Sequence, residues 1–87
     1  MRSETLGTRE YQYTVLYEPA EEGGYVVTVP ALPGLVTEGD TLDQARSMAE
    51  DAIRGYLESL MKDRLPIPPD REAEPIREKV KVTVDAA

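Results

Sequence analysis

The side chains of this chain that could do chemistry are almost all carboxylates. Asp and Glu number 17 against 10 Lys and Arg, and neither His nor Cys occurs in the 87 residues. Without imidazole there is no ordinary general base, so Ser3, Ser47 and Ser59, which fall in a polar N-terminal run and on a helical pattern, have nothing to activate them. Without thiols there are neither disulfides nor thiolate metal sites. Gly23 and Gly24 precede a strand pattern instead of opening a helix, which excludes a phosphate-cradling loop. Two-metal chemistry needs acids converging on ions about 4 Å apart. Here Glu10 and Glu18 sit at the two ends of one strand pattern whose middle carries no acid, Glu50 and Asp51 are helix neighbours, and Asp85 is near the chain end. No catalytic residue, cofactor or metal is expected.

Binding chemistry is left. A net charge of −7 disfavours a grip on nucleic acid by this chain alone and suits a basic partner. Tyr11, Tyr13, Tyr17 and Tyr25 could stack bases, but stacking platforms come with a basic groove, so packing with the hydroxyls at the rim is the expected use. No apolar run is long enough to cross a bilayer and the first residues carry no apolar signal segment, so a cytoplasmic protein without membrane contact is expected.

The long element that must position these groups is a helix. Leu42, Ala45, Ala49, Ala52, Ile53, Tyr56, Leu57 and Leu60 recur at steps of three and four and make one stripe, with Asp43, Arg46, Asp51, Arg54 and Glu58 opposite. Thr41 and Gln44 have capping-box spacing, which starts the helix at Leu42; it frays near Asp63, ahead of Pro66. Pro33 and Gly34 fit the centre of a type II turn, and Gly39 frees the chain to swing from strand into helix.

Residues 1–9 read as a mobile arm and 10–87 as one domain. Alternation marks strands over 10–18, 25–29 and 35–38, and again over 79–84, where Val80, Val82 and Val84 share a face; Pro66, Pro68, Pro69 and Pro75 make the run between helix and last strand an extended crossing. The fold class is α+β, in the order β-β-β-α-β. A right-handed crossover would put the last strand parallel to the first, giving a mainly antiparallel sheet of order 3-2-1-4 with the helix on one face. The other face would expose Leu16, Val26 and Val36, a surface for oligomerisation or a partner.

The run from Gly23 to Leu60 resembles the HicB-like antitoxin domain of type II toxin-antitoxin systems. The resemblance rests on Gly24 and Tyr25, on Pro30, Leu32, Pro33 and Gly34 of a P-x-L-P-G turn, on Thr37, Gly39, Asp40, Thr41 and Ala45 of the helix entry, and on Pro66 and Pro68. It covers roughly residues 11–84 and implies a truncated ribonuclease H-like fold. It implies as partner a small basic HicA-like toxin, an mRNA-cleaving ribonuclease that the domain would mask by steric and electrostatic occlusion. Ala31 and Leu35 stand where the family often has an acid and a Cys, and the chain as given carries no appended operator-binding segment, so autoregulation through DNA by this chain alone is not expected. Clustering at loops and strand ends makes Glu18, Glu21, Glu22, Glu38 and Asp40 the expected partner contacts. A homo-oligomer is expected. Two alternatives stand beside this reading, a degenerate ribonuclease H-like metal-dependent nuclease and a stand-alone oligomeric domain without a toxin.

Overall fold

A computed structural model describes residues 9–72 and 76–86. Its elements run β1 (Leu16–Pro19), β2 (Tyr25–Thr28), β3 (Val36–Gly39) and α1 (Leu42–Lys62). The three strands form an antiparallel sheet of order β1-β2-β3, with Leu16 opposite Thr28 and Thr28 opposite Val36. This is the α+β meander and helix that the alternation and the apolar stripe require.

The turns follow from local chemistry. The Leu35 N–H donates to the Leu32 carbonyl at 3.2 Å across Pro33 and Gly34, and Gly34 has φ +86, the left-handed value that the third residue of a type II turn needs. At the helix start the Thr41 hydroxyl accepts from the Gln44 N–H at 3.0 Å, while the Gln44 side chain reaches back to the Asp40 N–H, one residue before the cap. At the other end Arg64 takes φ +58, its N–H donates to the Met61 carbonyl and the Leu65 N–H to the Leu60 carbonyl at 2.8 Å. That is a Schellman closure with an arginine where glycine is usual, so the helix is stopped by a defined cap and does not merely fray.

Every residue of the apolar stripe is buried or half-buried, and the five charged residues opposite are exposed. One end of the core packs Val29, Leu32, Leu35 and Leu57 with Tyr13, Val15, Ile53, Tyr56 and Ile67; the other packs Val27 against Ala45 and Ala49. The alanines let the helix lie close on β2. Arg46 pairs with Asp43 at 3.0 Å and Arg54 with Asp51 and Glu50 at 3.1 and 3.3 Å, exposed pairs that add little stability.

Two expectations about the sheet change. Of the expected 10–18 strand only 16–18 pair, with β1 running on to Pro19, because β2 has already ended at Thr28, ahead of Pro30, and offers residues 10–15 no ladder partner. The 79–84 run forms no strand with the described residues. Val80, Val82 and Val84 are 74%, 72% and 78% exposed, so among the described residues no strand takes the fourth position of the expected 3-2-1-4 order. Consistent with an arm standing off the body, the radius of gyration is 18.4 Å, where a globule of this length would have about 12 Å. Of the other expectations, the N-terminal arm over residues 1–8 and the crossing at 73–75 lie outside the described residues.

The earlier part of the crossing is tied down. Ile67 packs into the core, the Tyr13 hydroxyl donates to the Pro68 carbonyl at 2.6 Å, and Asp70 accepts from both the N–H and the hydroxyl of Thr14 at 2.8 Å. The bond from the Thr14 N–H, helped by the Thr14 hydroxyl and the Arg71 N–H, holds the Asp70 carboxyl below its ordinary range against a smaller opposing effect of desolvation. Desolvation raises the Tyr13 hydroxyl above its ordinary value, with Tyr11 and Asp70 adding to the effect. A carboxyl depressed in the folded state stabilises it above the unfolded-state value, and that contribution disappears as pH falls through the folded-state value. Asp70→Asn is therefore expected to lower the thermal midpoint at neutral pH, with the gap to the unsubstituted chain closing as the medium is made acidic. Thermal melts at several pH values check this, and a gap that stays constant to low pH would remove Asp70 from the clasp.

Candidate partner-binding face

The sheet has one face under α1 and one open. Strand register decides which acids share the open face: Glu18 lies opposite Val26, and Val26 opposite Glu38. One row across the sheet thus reads Glu18, Val26, Glu38 and the next reads Leu16, Thr28, Val36. At ordinary strand spacing the two carboxylate-bearing positions are about 10 Å apart, with an apolar step between them. Leu16 and Val26 are half-buried and Val36 is 66% exposed; Leu16 and Val36 flank Thr28 in one row, and Val26 lies between the two acids in the other.

The β1–β2 hairpin and the β3–α1 junction meet at one end of this sheet. Ala20, Glu22, Gly23, Tyr25, Glu38, Gly39 and Asp40 line a dent there of about 190 Å³. Glu22, Glu38 and Asp40 therefore converge, Glu18 stands one strand beyond Val26, and Glu21 lies on the hairpin outside the dent. All five acids are exposed. Carboxylates are acceptors only, so the arrangement is suited to receiving a guanidinium or ammonium group. Among the described residues no group of three His, Cys, Asp or Glu is placed to share one metal ion. Tyr25 in the dent was not among the residues singled out as contacts, and its place follows from pairing with Gly39, which only the register reveals.

A second concavity, of about 620 Å³, runs on the helix side between residues 9–17 and α1, with Tyr11, Tyr13, Val15, Ala49, Ile53 and Leu57 among its lining. Of the four tyrosines expected to pack, Tyr13, Tyr17 and Tyr25 lie against the two core clusters, while Tyr11 is exposed; the Tyr13 hydroxyl is part-buried on the Pro68 carbonyl. No helix of the described residues is long and apolar enough to cross a membrane.

The chain is similar to several known proteins. Over 63 residues the chain is 48% identical to a UPF0150 protein of Thermoplasma acidophilum, covering 72% of this chain and 91% of that one. It is 42% identical over 60 residues to Antitoxin HicB 1 of Photorhabdus laumondii, covering 69% of this chain and 39% of the relative, and 35% identical over 57 residues to Antitoxin HicB of Escherichia coli K12, covering 66% and 41%. The matched part thus spans about two-fifths of the relatives that are named antitoxins. The profile of the HicB-like antitoxin of bacterial toxin-antitoxin systems matches residues 13–83, a span that takes in the meander, the helix and most of the arm, and the chain belongs to that family.

Proposed function

We propose that this chain is the toxin-masking module of an antitoxin, a non-enzymatic domain that lies over a small basic HicA-like ribonuclease and keeps mRNA out of it. The observation that carries the reading is the open sheet face, where Glu18 and Glu38 flank Val26 in register and Glu22 and Asp40 close the row at the dent. A surface built to hold phosphates is basic, and a face of carboxylates around an apolar strip matches it in charge while excluding water from the contact. Leu16, Val26 and Val36 supply the apolar part of the contact and Glu21 adds to the field at its edge. No bond is made or broken: protection is occlusion.

The test is co-purification with a HicA-like toxin followed by RNA cleavage assays. The toxin is expected to be retained by this chain and to stop cleaving when the two are present in equal amounts, while the chain alone leaves RNA intact with magnesium or manganese. Cleavage that persists in an excess of the chain would overturn the masking reading, and metal-dependent cleavage by the chain alone would replace it with a nuclease.

A further inference from the structure

We propose that two copies of this chain exchange their C-terminal arms, residues 79–84 of each filling the groove between β1 and α1 of the other. The arm has the alternation of an amphipathic strand and pairs with none of the described residues: Val80, Val82 and Val84 are about three-quarters exposed and alternate with Lys79, Lys81 and Thr83, and Ile76 at its root is 92% exposed. The receiver is equally unfinished. The groove has an apolar floor of Ala49, Ile53 and Leu57 and a wall of Tyr13 and Val15, rimmed by Arg46, Glu50 and Arg54, and it reaches Tyr17 of β1, a strand that among the described residues pairs with β2 alone. An edge strand with free N–H and carbonyl groups beside an apolar trough is the surface that an added strand completes, through ladder bonds and alternate side chains. It is also the place expected for a fourth strand; what changes is the copy that supplies it.

The identity of the donor follows from the hinge. Pro66, Pro68 and Pro69 keep the crossing extended and stiff, and the clasp of Tyr13 and Thr14 on Pro68 and Asp70 fixes where it leaves the body. Beyond that point this chain leaves its own groove open while holding out a strand that fits it, which is the geometry of exchange between identical protomers. Exchange is reciprocal and closes at two copies. The inference concerns the chain by itself, with or without a toxin, so this test and the test of masking fail independently.

Light scattering on the full chain at micromolar concentration is expected to give twice the 9.7 kDa of one copy. The triple variant Val80→Ser, Val82→Ser, Val84→Ser is expected to give one, with the circular dichroism of α1 retained. Because the chain has no cysteine, one batch can carry Val82→Cys and another Ile53→Cys, and a short thiol cross-linker is expected to join the two batches to each other. A monomeric unsubstituted chain, a triple variant that stays dimeric, or cross-linking confined within a single chain carrying both cysteines would each overturn the exchange.

Discussion

Gly39→Ala is expected to lower the thermal midpoint of this chain by roughly 10–20 °C, since each kcal/mol lost is about 4–8 °C for a domain of this size. A Cβ at position 39 would lie 2.4 Å from the Ala45 nitrogen, 2.7 Å from the Ala45 Cα and 2.9 Å from the Gln44 carbonyl carbon. All three are helix backbone, which cannot rotate aside as a side chain could. The first turn of α1 must move off β3, and with it Ala45, which is fully buried against Val27. Overpacking of this kind costs about 1–3 kcal/mol where side chains can adjust, and backbone contact puts this site at the top of that range. Gly55 is the internal control: nothing lies within 4 Å of a Cβ there, so Gly55→Ala removes a poor helix former and is expected to stabilise by about 0.5–1 kcal/mol. Thermal melts of the two variants side by side decide the matter, and a Gly39→Ala chain that melts with the unsubstituted one would show that the helix can retreat at no cost. The role of Gly39 is therefore close approach, where the sequence pattern alone suggested a flexible joint.

Reversing both acids of the central row, Glu18→Lys with Glu38→Lys, is expected to weaken binding of a HicA-like toxin about 100-fold at low salt, equivalent to about 2.7 kcal/mol. The change takes the net charge from −7 to −3 and places two ammonium groups on either side of Val26, where a basic partner would meet like charge. Both positions are exposed, so the fold is not asked to absorb the change. The loss is expected mainly in the association rate and to shrink as salt is raised, because exposed charges are screened over about 10 Å at 0.1 M. Titration at two ionic strengths measures it. Affinity unchanged within a factor of two at low salt would move the contact off this face.

The helix was legible because three independent signals coincide in it: the capping pair Thr41 and Gln44, the stripe from Leu42 to Leu60, and the charges opposite. The Pro33-Gly34 turn was legible because few residue pairs tolerate its backbone angles. Its C-terminal cap was hidden, since Arg64 in a left-handed conformation carries no mark in the sequence. The acids were visible as a cluster, but only strand register shows that Glu18 and Glu38 share a row while Glu21 stays outside the dent. The last strand shows the limit most clearly. Alternation at Val80, Val82 and Val84 says that one face must be covered, yet periodicity is local and contains nothing about which molecule does the covering.

The tight junction at Gly39 also shapes how the neighbouring acids behave. Glu38 and Asp40 flank that glycine, so both are carried on backbone wedged against the first helical turn, whereas Glu22 across the dent rides on an exposed hairpin tip. That hairpin is closed on itself, the Ala20 N–H donating to the Gly24 carbonyl and the Gly23 N–H to the Ala20 carbonyl, both at 3.0 Å. On the proposed contact, an arriving guanidinium or ammonium group would meet carboxylates carried on two separate supports, the β3–α1 junction and the hairpin.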